Sequence, residues 1–297
     1  MDVRTTLKQG MAQLREAQVP SHTLAAELLL MHVLGRERAW IYAHPEESIE
    51  PLNAERYFQL VARRAAGEPT QYIVGHQEFW GREFEVTSDV LIPRPETEHV
   101  VEVALERSGQ RRPLNLTGKG LRIADVGTGS GCLAVTLACE LAGAELYATE
   151  ISAAALAIAQ RNAARHGVAS RIQFRQCNLL DGLLHQSRVT NEESRPFHLI
   201  VSNPPYVAGN EAASLPREVR QHEPAAALFA GERGLDFYAP LIAQAAELLA
   251  SGGHLVLELS YNALDAVRPL VETSAWTRAG VTHDLAGIPR VLAATRV

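Results

Sequence analysis

Two periodicities divide the chain. Near the start, Leu7, Met11 and Leu14 recur at the three- and four-residue spacing of a single helix face. A second helix is predicted from Pro20-Ser21, with Ser21 as its N-cap and Gly35 as its stop. A third covers 53–66, begun by Asn53 and ended by Gly67 ahead of Pro69. These helices form a small all-α unit over residues 1–70. From Gln71 to Ile92 the pattern becomes β-rich. Tyr72-Ile73-Val74 and Arg82 to Val86 read as strands about a turn near Gly81, a β-hairpin linker over 71–92. Thr97 is expected to cap a helix reaching about Ser108, and the Gly/Pro/basic stretch 109–120 reads as a loop.

From Leu121 onward strands and helices alternate. Strands are predicted at 121–126, 144–149, 171–176, 197–202, 253–259, 276–283 and 289–296. Helices are predicted at 130–142, 152–166, 235–250 and 262–272, and the polar stretch His185 to Pro196 reads as a surface excursion. That order implies an α/β fold: a doubly wound, mostly parallel seven-stranded sheet with an antiparallel edge, occupying 93–297.

Composition narrows the setting. Apolar residues make up 46% of the 297 and charged residues 21%, enough for a sizeable core. A net charge of −6 argues against tight non-specific binding to a polyanion, which needs clustered Lys and Arg. Cys132, Cys139 and Cys177 lie in apolar context without metal-ligand spacing, and the scattered histidines show no HExxH-like pattern. No metal is expected, and the cysteines read as reduced core thiols of a cytoplasmic protein. No stretch reads as a signal peptide or a membrane span.

Two strand ends carry chemistry. At the first, Asp125-Val126-Gly127-Thr128-Gly129-Ser130-Gly131 joins a strand to a helix. Glycines there let backbone approach a ligand, and the helix start offers free N–H groups. The glycines run G-x-G-x-G, and Cys132 stands where the dinucleotide fingerprint has its third glycine. Asp125 would repel a pyrophosphate but suits a ligand carrying an ammonium and a sulfonium, such as S-adenosylmethionine. Glu150, ending the next strand, can accept both ribose hydroxyls. Asn178 and Leu179, after the third strand, are placed to meet the adenine.

The second is Asn203-Pro204-Pro205-Tyr206, following the apolar run 197–202. Two prolines stiffen the turn and remove two donors. The Asn203 side-chain oxygen and the Pro204 carbonyl can then each accept one N–H of a planar –NH₂ group, and Tyr206 can pack on that group. This turns the nitrogen lone pair toward a methyl donor by positioning and desolvation, without a strong base.

Together, DVGTGSG, Glu150 and NPPY resemble a class I S-adenosylmethionine-dependent methyltransferase acting on amino groups. RRAAGEPTQYIVGHQEFWG (63–81), VLIPRPETE (90–98), HEPAAALFAGERGLDFY (222–238) and DLAGIPRV (284–291) extend the resemblance to the release factor glutamine methyltransferases, the PrmC/HemK family. The resemblance implies N-methylation of the glutamine in the Gly-Gly-Gln loop of class I peptide chain release factors, with S-adenosylhomocysteine as by-product. It assigns cofactor binding to Gly127, Thr128, Gly129, Ser130, Gly131, Glu150, Leu179 and Asn203, and substrate binding and catalysis to Asn203, Pro204, Pro205 and Tyr206. It gives the helical unit the task of meeting the release factor. Glu150 stands where Asp is usual, Asn178 replaces an acidic residue, His222 replaces an aromatic one, and Ser260 and Ala263 depart from the usual Gly and Gln. A monomer without stable nucleic-acid or membrane partners is expected. NPPY is shared with DNA and RNA adenine methyltransferases, so an enzyme acting on adenine is the alternative, disfavoured by the net charge of −6. Arg94, Glu96 and Glu258 are further candidates, each as site residue or as structural support.

Overall fold

The computed structural model describes residues 1–109, 120–187 and 197–297, and it contains two compact units. The predicted 109–120 loop and 185–196 excursion lie outside these residues, except at their margins.

The first unit comprises Met1–His76 and, from far along the chain, Leu215–Glu223. Its helices are Val3–Glu16, His22–Leu34, Arg38–Ala43, Pro51–Ala65, Thr70–Val74 and Arg217–His222. Leu7, Leu14, Leu29, Leu30, Tyr57 and Val61 form its core. Gly10 is needed there, because a Cβ would strike the Tyr57 ring. Arg64, only 5% exposed, pairs with Glu218, and Arg217 Nη2 donates to the Ala66 carbonyl at 2.7 Å. These bonds fasten the distant segment to its own unit.

Four local expectations need correction here. Thr97 stands at the N-cap of the helix Glu98–Arg107, but in helical conformation and with no side-chain cap bond. Ser21 does stand before the second helix, but in the left-handed region (φ 51°) with no side-chain cap bond. The third long helix starts at Pro51, so Asn53 lies inside its first turn. Tyr72-Ile73-Val74 is helical: Thr70–Val74 makes a short helix between Pro69 and a left-handed Gly75 (φ 83°). The hairpin comes just after, as β1 (His76–Phe79) and β2 (Arg82–Glu85). Its two-residue turn, Trp80-Gly81, has positive φ at both positions (55° and 67°).

The second unit comprises Gln77–Ser214 and Pro224–Val297. Its sheet contains β3 (Arg122–Val126), β4 (Glu145–Glu150), β5 (Ile172–Gln176), β6 (Phe197–Ser202), β7 (Leu249–Glu258), β8 (Trp276–His283) and β9 (Pro289–Arg296). Their order is β5-β4-β3-β6-β7-β9-β8. Pairing is parallel through β7 and antiparallel for β7–β9 and β8–β9. The expected doubly wound sheet with an antiparallel edge is present.

Alternate residues of each strand serve two different cores. Ile123, Leu199, Val201 and Val256 pack with helices Glu98–Arg107 and Cys132–Glu140, while Ala124, Ile200, Leu255 and Leu257 pack with helix Tyr238–Leu248. Helices on both faces explain why the central strands are continuously apolar. The predicted helix over 262–272 is instead a short α-helix, Leu264–Val267, running into a 3₁₀ turn at Arg268–Val271 that contains Pro269.

Asn162 joins the β2 backbone to the glycine loop. Fully buried, it accepts from Glu85 N (2.7 Å) and donates to the Glu85 carbonyl (3.0 Å) and the Ser130 carbonyl (2.8 Å). Replacing it with Ala removes the partner of three backbone groups, one of them fully buried. Asn162→Ala is therefore expected to lower stability by about 2–4 kcal/mol, read from the denaturation midpoint. An unchanged midpoint would show that the loop does not depend on this anchor.

Candidate active site

The order of the sheet reverses at β3, which has β4 on one side and β6 on the other. Connections leave this point to opposite faces and open a crevice at the carboxyl ends of the strands. A cavity of about 270 Å³ lies there.

The glycine loop forms one wall. Gly127 and Gly129 have φ of 71° and 54° and line the cavity, and a Cβ added at either would meet nothing within 4 Å. The Gly127 and Thr128 N–H groups are taken by the Thr149 carbonyl, both at 2.9 Å. Gly131 (φ 83°) lets the loop close on the neighbouring helix, because a Cβ there would sit 3.1 Å from Ala159 Cα and Cβ. Its contribution is packing.

Glu150 lies at the end of β4 and also lines the cavity. Its Oε2 accepts from Gly129 N and its Oε1 from Ser152 N, each at 3.0 Å. Both oxygens are fixed in place and each keeps a lone pair for a ligand hydroxyl. Asn178 and Leu179 form the next stretch of wall. Leu179 has a φ of 45°, costly for a bulky side chain. Its neighbours hold it there: Leu180 N donates to Gln244 Oε1 at 2.9 Å, and Gln244 Nε2 donates to Asp181 Oδ1 at 2.8 Å.

The NPPY turn forms the facing wall. Pro204 and Pro205 line the main cavity, while Asn203 lines a smaller one of about 40 Å³ with Arg94, Thr97, Thr128 and Ser130. Asn203 Nδ2 donates to Thr97 Oγ1 at 3.0 Å, so the amide oxygen is the end left available. After the turn, Val207 N donates to the Leu228 carbonyl (2.8 Å) and Ala230 N to the Val207 carbonyl (3.0 Å). Gly234 (φ 71°) packs directly on the turn, and a Cβ there would overlap the Tyr206 carbonyl oxygen. Ser202 Oγ, donating to the Val126 carbonyl at 2.7 Å, ties the NPPY strand to the glycine-loop strand.

Two expected side chains sit elsewhere. Asp125 does not face an ammonium or sulfonium: it is sealed beneath the loop at 0% exposure. There it accepts from Thr128 Oγ1 (2.6 Å) and Ala134 N (3.0 Å), supporting the loop from below. Tyr206 lines neither cavity. Its ring packs on the core beside helix Tyr238–Leu248, and its hydroxyl donates to Glu258 Oε1 at 3.3 Å.

Both buried carboxyls are hard to ionise. Burial pushes Asp125 up to about 7, against the lowering effect of Thr128 and Ala134 N–H and with a smaller push from the charge of Glu150. Burial likewise pushes Glu258 up to about 7. Hydrogen bonding from Thr97 and Tyr206 and the charge of Arg290 act the other way, and Glu96 adds to the rise. Thr97 and Gly234 were not singled out as site residues from sequence. The available signals were their places inside PRPETE and GERGLDFY.

The cavity, loop, strand-end carboxylate and NPPY turn define an α/β methyltransferase of the S-adenosylmethionine-dependent class. Residues 5–75 match the family model "PrmC N-terminal domain", and 113–220 match "Methyltransferase small domain". The chain is 42% identical over 294 residues to the release factor glutamine methyltransferase of Koribacter versatilis, covering 98% of each. It is 39% identical to that of Deinococcus radiodurans, covering 100% of this chain and 99% of the relative. The chain belongs to the release factor glutamine methyltransferase family. Among solved structures, the hMettl16 catalytic domain in complex with a MAT2A 3′UTR hairpin shares the fold, at TM-score 0.56 and 18% identity over 80% of this chain and 81% of that one.

Two predictions arise from this geometry. Gly234→Ala should displace the NPPY turn, lowering kcat by about 10-fold or more while S-adenosylmethionine affinity, measured by calorimetry, changes much less. Wild-type kcat would refute the dependence of the turn on Gly234. The second concerns pH. Asp125 and Glu258 bind protons more tightly folded than unfolded, where their values are 3.8 and 4.5. Between there and about 7 the native state holds more protons, so stability is greatest at the acid end and falls as pH rises. Chemical denaturation across this window should show that decline, and Glu258→Gln should flatten part of it.

Proposed function

We propose that the chain methylates the side-chain amide nitrogen of a release factor glutamine, that of the Gly-Gly-Gln loop, using S-adenosylmethionine. The observation that carries the proposal is the Asn203 amide. Its donor end is committed to Thr97, so its oxygen faces outward as an acceptor. A glutamine side chain ends in the complementary –NH₂ group.

The residues present fit this donor. Glu150 keeps free lone pairs that could accept the ribose hydroxyls, Gly127 and Gly129 leave the wall beside it open, and Asn178 with Leu179 would offer a polar and an apolar edge to adenine. When bound, S-adenosylmethionine supplies an electrophilic methyl group on a sulfonium and is left as S-adenosylhomocysteine.

The chain's own residues deal with a poor nucleophile. An amide nitrogen shares its lone pair with its carbonyl. Asn203 Oδ1 and the Pro204 carbonyl would each take one N–H, which would fix the plane of the –NH₂ group and orient its lone pair for attack. The prolines hold this geometry before substrate arrives, so little reorganisation is needed during reaction. The N–C bond would form as the S–C bond of the donor breaks, and one amide proton would then leave to solvent, so no ionised base is required beforehand. Tyr206, anchored on Glu258, braces the turn from behind. The helical unit, matched by the family's N-terminal model, holds the release factor.

Adenine-amino methylation would need a nucleic-acid surface, and a net charge of −6 supports the protein acceptor instead. The test is incubation with radiolabelled S-adenosylmethionine and separate acceptors. Label should enter a release factor and vanish when the Gly-Gly-Gln glutamine is changed to Ala. Label entering DNA or RNA instead would overturn the assignment. Asn203→Ala should lower kcat by about 100-fold or more with the circular dichroism spectrum preserved; normal turnover would sink the mechanism.

A further inference from the structure

An Asn side chain presents an oxygen or an –NH₂ group depending on how its amide is turned. The proposed reaction requires the oxygen. The structure shows Nδ2 of Asn203 donating to Thr97 Oγ1 at 3.0 Å. Yet a threonine hydroxyl can accept or donate equally well. Were its single hydrogen aimed at Asn203, the amide would turn over, spend its oxygen on Thr97 and show –NH₂ to the substrate. Something must hold that hydrogen elsewhere.

Glu258 is the group placed to do so. It ends β7, is 1% exposed and lies close enough to Thr97 for the hydroxyl to favour its ionised form. Its Oε1 accepts from Tyr206 at 3.3 Å, while Oε2 is buried and makes no hydrogen bond. An ionised carboxylate only accepts. Its unfilled, buried Oε2 is therefore the acceptor to which the Thr97 hydrogen can turn, which leaves the Thr97 lone pair for Asn203.

We propose that Glu258 and Thr97 are positioning residues that set the direction of the hydrogen-bond chain Asn203 to Thr97 to Glu258, and so present the Asn203 oxygen to the acceptor amide. This rests on the methyl-transfer reading of the site. The same carboxylate takes the Tyr206 hydroxyl, so one charge orients both ends of the NPPY turn.

The arrangement depends on pH. Protonated Glu258 can itself donate, which frees the Thr97 hydrogen to swing toward Asn203. The groups facing Glu258 are Arg290 at the start of β9, Glu96 beside Thr97, Tyr206 of the turn, Tyr238 of its helix and Cys132 of the helix after the glycine loop. Burial outweighs the lowering influences, leaving the carboxyl at about 7. Turnover at saturating substrates should fall as pH drops through that value.

The experiment compares kcat, KM and the kcat–pH profile for wild type, Thr97→Ser, Thr97→Val, Glu258→Gln and Asn203→Ala, with S-adenosylmethionine affinity and melting as fold controls. Thr97→Val is isosteric but has no hydroxyl, and should lower kcat about 10–100-fold with cofactor affinity little changed. Thr97→Ser should restore most of the loss. Glu258→Gln carries an –NH₂ that can donate, so it should lower the plateau and erase the acid limb. Wild-type kcat in Thr97→Val, or an unaltered acid limb in Glu258→Gln, overturns the proposal. If Thr97→Val fails to melt cooperatively, the Glu258→Gln profile and the Thr97→Ser activity decide alone. An active Asn203→Ala would reject the underlying reading, whereas an inactive Asn203→Ala beside an active Thr97→Val rejects only the relay.

Discussion

The parallel pairing of β3 with β6, in the register that sets Val126 beside Ser202, is the contact on which the site depends. Through it, the last residue before the glycine loop and the last before the NPPY turn stand side by side, and Ser202 Oγ seals the joint with a buried bond to the Val126 carbonyl. A slip of one residue would send every side chain of β6 to the opposite core. The apolar residues facing both layers forbid it, so the large hydrophobic interaction fixes a small chemical distance.

That explains why so much of the sheet was legible in sequence. β6, β8 and β9 fall over the expected residues, and β3, β4 and β5 begin within a residue of the expected start. For the central strands, burial on both faces leaves a largely apolar signature, whereas the edge strands β5 and β8 are mixed in polarity and are bounded by turn residues. Short elements gave no such margin. Tyr72-Ile73-Val74 has β-type composition, but Pro69 and Gly75 bracket a single helical turn, and three residues of propensity cannot outweigh that. Ser21 shows the same limit, standing at a helix start without making the bond its residue type suggests.

The candidate site was legible where its residues are adjacent in sequence and obscure where a single bond spans the chain. The glycine loop, Glu150 and NPPY each form a local word at a strand end. Thr97 meets Asn203 across 106 residues, and nothing in the text around either announces the other. Asp125 was misplaced for a related reason. Its charge suggested a ligand, whereas the fold uses it as an acceptor beneath the loop, where Thr128 and Ala134 N–H need one.

Asp125 and Glu258 reveal a tension between stability and geometry. Each sits on a central strand, one at its last-but-one residue and the other at its end, and each is hard to ionise because water is excluded. A hydrophobic residue of similar size would pack at less cost. It could not orient a hydroxyl. The value of a buried carboxylate here is directional: in its ionised form it accepts and offers no proton, so it imposes one polarity on neighbours that could point either way. Thr128 and Thr97, one beside each carboxyl, are such neighbours, and the glycine loop and the NPPY turn are what they hold. The expected cost is a stability that weakens toward neutral pH, and in return two strand ends are held in single conformations.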